Sequence, residues 1–255
     1  MDGLGCEGMA PLTRRRWLRQ MAIAGGSALL PLMPADGALA AELDGELLAR
    51  LQACTPADAL GRLQQGNARF ARAWRAAGAE GTPQQHMQQL AAIWQDNCLI
   101  EPQALAQGQR PFAAVLSCAD ARVDPGWLFA CSSGELFQVR SAGNTAFNAA
   151  IASLEYAVGV LETPLLVVLG HSGCGAVTAA MANEPLTPLL EELVQPIRAG
   201  LLSRDDLTQA IEGNVRHSAA QLTARSALLA EAVGSGRLTI RSAYFDIASG
   251  TVRWL

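Results

Sequence analysis

Two uninterrupted apolar runs, Phe112–Leu116 and Pro164–Leu169, stand out from an otherwise mixed chain. Short runs of this kind, closed by small and polar residues, predict strands buried on both faces, as in a parallel sheet. Glu135–Arg140 instead alternates, with Phe137 and Val139 on one side, and predicts a further short strand. Ala142-Gly143-Asn144 then turns into a helix over Thr145–Val160. Helical spacing recurs over Glu42–Ala53, Gly173–Asn183, Leu186–Arg198 and Asp205–Val233, the last read as one long helix. Thr55-Pro56 reads as an N-cap followed by proline at the first helical position, opening a helix that continues through Leu60, Leu63, Phe70 and Trp74. The Gln-rich stretch 78–108 holds Gly78, Gly81, Pro83 and Gly108, and predicts a short helix over Met87–Trp94 followed by loop. Arg237–Asp246 and Thr251–Leu255 form a hairpin around Ser249-Gly250. Strands alternating with helices predict an α/β fold: a mainly parallel central sheet flanked by helices, with an N-terminal helical arm. No repeat or linker divides residues 41–255, which read as one domain.

Composition changes this picture little, but narrows the chemistry. The chain has 255 residues, 50% apolar and 16% charged, as expected for a globular protein. A pI near 5.4 and a net charge of −4 leave no electrostatic footprint for nucleic acid. Every basic residue is arginine. Without lysine there is no Schiff base, no pyridoxal linkage and no Walker-type phosphate loop. The six cysteines are too few and too scattered for a disulfide scaffold in a chain of this size.

The N-terminus has its own pattern. Thr13-Arg14-Arg15-Arg16-Trp17-Leu18-Arg19 precedes a mildly apolar stretch, Met21–Met33, interrupted by Gly25-Gly26 and Pro31. That stretch is too short and broken to span a bilayer. Ala38-Leu39-Ala40 has the small-x-small form of a signal-peptidase site. Residues 1–40 together resemble a twin-arginine export signal. The resemblance implies transport of the folded protein to the periplasm by the twin-arginine machinery, after any metal has been acquired. Cleavage would remove Cys6 and leave an odd number of cysteines.

The candidate chemistry follows the two apolar strands. Ser117-Cys118-Ala119-Asp120-Ala121-Arg122 and Gly170-His171-Ser172-Gly173-Cys174-Gly175 each occupy the position after a buried strand, where open α/β sheets place ligands. Cys118, His171 and Cys174 are a borderline-soft set suited to zinc, and three ligands leave a fourth position open for chemistry. Spacing alone leaves a metal site and buried structural cysteines both open. Cys174 falls at the start of a helix, where free N–H groups favour a thiolate. Arg122 would keep Asp120 ionised and oriented. Such a carboxylate could be a fourth zinc ligand or could accept a hydrogen bond from a metal-bound hydroxide.

Taken together, Cys118-Ala-Asp-Ala-Arg122 and His171-Ser-Gly-Cys174-Gly-Ala-Val resemble the zinc site of the β-class carbonic anhydrases. Further similarity lies in Leu63–Phe70, Arg140–Asn144, Ser153–Val158, Asn214-Val215 and Tyr244–Gly250, so it runs from about residue 58 to the end. The resemblance implies a β-carbonic-anhydrase-like fold, a homodimer or higher oligomer with sites at the subunit interface, and Zn2+ held by Cys118, His171 and Cys174. It implies reversible hydration of CO2 to bicarbonate by a zinc-bound hydroxide, with Asp120 and Arg122 as the orienting pair. It also places Gln109, Phe137, Ala142, Tyr156 and Gly175 at substrate-pocket positions, for which ordinary packing is the competing reading. Ala119 and Ala121 stand where serines are common in the family, and Asp124-Pro125-Gly126-Trp127 replaces its usual continuation.

Two alternatives use the same residues: hydrolysis of CS2 or COS, and a periplasmic zinc- or bicarbonate-binding protein without turnover. A carboxylate poised beside an open metal position argues against the second. His86 and His217 are isolated and read as satisfied or solvated side chains. Cys54, Cys98 and Cys131 read as spare thiols, either free and buried or, for two of them, joined in an oxidising compartment.

Overall fold

The computed structural model describes residues 45–78, 81–95, 97–182 and 184–255. The proposed export signal and the first residues of the Glu42–Ala53 helix lie outside them. Residues 46–255 form one compact unit. Among the described residues, no helix is long and apolar enough to cross a membrane.

The core is a five-stranded sheet of β1 (Ala113–Cys118), β2 (Leu136–Ser141), β3 (Leu165–His171), β4 (Thr239–Asp246) and β5 (Thr251–Trp254). Its spatial order is β2-β1-β3-β4-β5. The first four strands run parallel and β5 closes the edge antiparallel to β4. Every residue of β1 and β3 is buried, as the apolar runs predict for strands covered on both faces. Alternate residues sort to opposite layers. Ala113, Val115, Leu165, Val167 and Leu169 pack towards Leu63 and Phe70 of α2 (Ala59–Ala77). Ala114, Leu116, Leu166 and Val168 pack towards α6 (Asn148–Gly159), α9 (Leu207–Arg225) and α10 (Ala227–Gly234).

This order puts the site in place. The chain leaves β1 towards β2 on one side and reaches β3 on the other, so the carboxyl ends of β1 and β3 flank a topological switch point. The β1–β3 register aligns Ser117 with Leu169, which brings Cys118 beside the end of β3 where His171 lies.

Several boundaries differ from the sequence reading. The cap of α2 is Asp58, whose Oδ1 accepts the Gly61 N–H at 2.9 Å; Thr55-Pro56 precedes the helix. The Gln-rich region begins a helix earlier than expected, at α3 (Pro83–Ala91), because Thr82 and Gln85 form a reciprocal capping box. A 3-10 turn (Ala92–Trp94) and α4 (Pro102–Leu105) follow. The long helix expected over Asp205–Val233 is two helices. Ser226 terminates α9 and caps α10, its Oγ accepting the Leu229 N–H and donating to Glu155. The apolar periodicity continues through this break and conceals it. Cys54, two residues after α1 (Gly45–Gln52), is joined to Cys98 in a disulfide, while Cys131 stays free and buried.

Helix α2 also braces the segment between β1 and β2. The Arg62 guanidinium donates to the carbonyls of Phe129 and Ala130 and pairs with Glu135, which is itself buried. Asn67 donates to the carbonyls of Leu128 and Gly250 and accepts from the Val252 N–H. Gly66 lies between them because no other residue fits: a Cβ there would stand 1.8 Å from the Phe129 oxygen. The segment itself contains α5 (Pro125–Leu128), capped by Asp124 with Pro125 at its start.

Candidate active site

The ends of β1 and β3 bring Cys118, His171 and Cys174 together as three buried residues whose ligand atoms all lie within 4.8 Å of one another. Cys118 ends β1, His171 ends β3, and Cys174 is the N-cap of α7 (Gly175–Met181). The two sulfurs are 4.0 Å apart. His171 Nδ1 lies 3.0 Å from the Ser172 carbonyl, which is satisfied by an N–H on that nitrogen. Nε2 is buried without a hydrogen-bond partner and retains its lone pair. An unpartnered imidazole nitrogen facing two thiols is what a tetrahedral metal with one open position requires, so the donor set fits zinc.

Cys118 is pulled down to about 4, chiefly by the hydrogen bond from Cys174, aided by His171 and by the Gly143 N–H, whose nitrogen is 3.4 Å from the sulfur. Cys174 is pushed up by its Cys118 neighbour and by burial, against the N–H groups of Val177 and Ala176. Among the described residues Cys131 is also free, and it is pushed up to about 12 by burial and by Glu135, which leaves it unreactive.

Asp120 is clamped by Arg122. The guanidinium Nε donates to Oδ1 at 2.9 Å and an Nη to Oδ2 at 2.6 Å, and the Arg122 backbone N–H adds a bond to Oδ1 at 2.9 Å. Arg122 also donates to the Gly173 carbonyl, tying the two motifs together. This pairing holds the carboxyl far below the usual carboxylate range. Oδ2 stands 3.9 Å from His171 Nε2, at the rim of the ligand cluster. Arg140, on β2, spans three carbonyls of the first motif, those of Cys118, Asp120 and Val123. It was visible in the sequence only as part of the Arg140–Asn144 similarity, with no role attached.

The pocket positions divide. Ala142 and Gly175 are exposed beside the cluster, and a Cβ on Gly175 would meet open space. Gln109, Phe137 and Tyr156 are not brought to this site within the chain. Gln109 is exposed ahead of β1. Phe137 pairs with Ala114, four positions from Cys118, or about 13 Å along the strand. Its ring lies 6.3 Å from that of Tyr156, which is 37% exposed.

A family model described as carbonic anhydrase matches residues 113–252. The chain belongs to the carbonic anhydrase family. Its relatives place it in the β class and make it an enzyme of CO2 hydration. It is 35% identical to carbonic anhydrase 2 of Mycobacterium tuberculosis over 204 residues, 76% of this chain and 90% of that protein. It is 34% identical to a carbonic anhydrase of Mycolicibacterium smegmatis over 206 residues, 77% and 92% of the two chains. Among solved structures, the β-carbonic anhydrase CafA of Aspergillus fumigatus superposes with a TM-score of 0.56 at 29% identity, covering 60% of this chain and 79% of that one. The Coccomyxa β-carbonic anhydrase gives 0.55 at 27% identity, covering 60% and 76%.

Proposed function

We propose that this carbonic anhydrase works through Zn2+ held by Cys118, His171 and Cys174, with Asp120 and Arg122 as the catalytic pair. The observation that carries the reading is the clamped Asp120 carboxylate, 3.9 Å from an unpartnered His171 Nε2. Zinc bound to such a set lowers the pKa of a water to about 7 and so supplies a nucleophile at neutral pH. The residues of the chain do the rest. Asp120, kept ionised by Arg122, can only accept a hydrogen bond, so it orients the attacking oxygen with a lone pair towards carbon. Arg122 holds that carboxylate by two side-chain bonds and one backbone bond, which fixes its orientation.

The second part of the proposal is a homodimer or larger assembly in which Gln109, Phe137 and Tyr156 complete the partner's substrate pocket. Supporting it are their distance from this chain's own cluster and the partial exposure of both rings. A solved relative from Sordaria macrospora is described as tetrameric. The third part is periplasmic location by twin-arginine export. The Arg14-Arg15 motif and the Cys54–Cys98 disulfide, a bond that persists in oxidising compartments, both support it. Replacing Arg14 and Arg15 by lysine should retain the protein in the cytoplasm on fractionation.

Stopped-flow CO2 hydration on zinc-loaded protein tests the mechanism. Asp120→Asn should keep stoichiometric zinc yet lose about 100-fold or more in kcat/KM. Full zinc occupancy with no hydration by the wild type at any pH between about 6 and 9 would refute it.

A further inference from the structure

Helix α9 carries a buried polar residue that no part of this mechanism uses. Its inner face is Ala210, Ile211, Asn214, Val215, Ser218 and Leu222. Asn214 is fully buried. Its Nδ2 donates to the Gly143 carbonyl at 2.8 Å and lies 3.4 Å from the Asn144 Oδ1, while its own Oδ1 has no partner. Burying an amide with one end unsatisfied is costly, and an apolar side chain would pack the position better. The donor end therefore has a purpose beyond packing.

That purpose is visible at the turn it grips. Gly143 and Asn144 sit consecutively at positive φ, 92° and 44°. A Cβ on Gly143 would stand 2.6 Å from Ile197 Cδ1 and 3.1 Å from the Ala176 Cβ, so the turn is pressed against α7 and α8 (Pro188–Ala199). The Gly143 N–H points at Cys118 Sγ, 3.4 Å from the nitrogen. Two residues of left-handed backbone are not held by any ladder, since β2 ends at Ser141. Without a side chain bonded to the Gly143 carbonyl, the direction of that N–H is free to drift.

We propose that Asn214 is a positioning residue for the metal centre: it holds the Gly143-Asn144 turn so that the Gly143 N–H stays bonded to the Cys118 sulfur. The inference rests on the zinc reading above. A backbone N–H on a ligating thiolate withdraws charge from sulfur, which tunes the metal and fixes the ligand's direction. Outer partners of this kind typically govern metal affinity by 10- to 100-fold.

The test uses the full chain with Asn214→Leu, which keeps the size and loses the donor, and Asn214→Ala. Leu222→Ala, on the same helix but remote from the turn, is the control for simple destabilisation. Competition against a chromophoric chelator should show zinc bound about 10- to 100-fold more weakly by both Asn214 variants and unchanged by the control. In the cobalt-loaded proteins the sulfur-to-metal charge-transfer band should move to lower energy in the Asn214 variants alone, because an unbonded thiolate is the stronger donor. Zinc affinity within twofold of wild type with an unmoved band would overturn the proposal. Should both variants fail to fold, cadmium-113 NMR of the wild type decides: coupling between the Gly143 N–H and the metal through Cys118 Sγ supports it, and a resolved Gly143 signal without coupling overturns it. Failure of the wild type to bind zinc counts against the metal reading itself, whereas unchanged variants count only against Asn214.

Discussion

Removing the Cys54–Cys98 bridge should destabilise this protein by up to about 4 kcal/mol. The two cysteines are separated by 44 residues. Closing a loop of that length removes about 13 cal/mol/K from the denatured chain, or about 4 kcal/mol at 25 °C. The measured value should lie below this ceiling, at about 2–4 kcal/mol, because the loop contains α2, and residual helix already restricts the denatured chain. A native term offsets part of that reduction. Asn97, next to the bridge, donates to the Ala130 carbonyl at 2.7 Å and accepts from Arg69 at 2.9 Å, so the bridge anchors the brace on the segment after β1. Urea unfolding followed by far-UV circular dichroism, on oxidised protein, on protein reduced with a phosphine, and on Cys54→Ser/Cys98→Ser, measures the effect. The reduced protein and the double variant should share a lower midpoint and a larger m-value, since an uncrosslinked chain exposes more surface. Coincident midpoints for oxidised and reduced protein would refute the reasoning. So would an equal response of the double variant to reductant, because the effect would then come from other thiols.

Three further outcomes follow from the brace and the hairpin. Gly66→Ala should prevent folding or cost more than about 3 kcal/mol in thermal or urea unfolding, since its Cβ would need to displace the Phe129 backbone. Asn67→Ala leaves the Leu128 and Gly250 carbonyls and the Val252 N–H without their partner and should cost about 3 kcal/mol, with the C-terminal hairpin gaining the most in hydrogen exchange. Asp246 is held below its usual value by the hydrogen bond from Ser249, so its contribution is complete above about pH 4 and is lost as pH falls through the lowered value. Asp246→Asn should therefore be less stable than wild type at neutral pH, with the gap closing in acid; a gap that is constant with pH would contradict this.

Local pattern alone determined a good deal of this molecule. Phe112–Leu116 and Pro164–Leu169 read as short strands covered on both sides, which put the residues after them at the carboxyl edge of a parallel sheet. That made Cys118, His171, Cys174, Asp120 and Arg122 candidates by residue type, left a metal site and buried structural cysteines both open, and needed the family resemblance to give each a role. What pattern could not carry was any feature in which two continuous signals meet or two distant ones pair. Ser226 divides α9 from α10 with no loss of apolar period, and Asp58 displaces Thr55-Pro56 because a cap is chosen by where the chain turns. Cys54 finds Cys98, and not Cys131, only because the fold sets their Cα atoms 5.5 Å apart. The Gly143 N–H reaches the Cys118 sulfur, 3.4 Å from its nitrogen, only because the turn after β2 and the end of β1 pack side by side. Gln109, Phe137 and Tyr156 stand away from the cluster because strand rise separates the two ends of a sheet. Sequence decides which groups are present and which segments are buried; distance and direction between segments arise only when the layers pack.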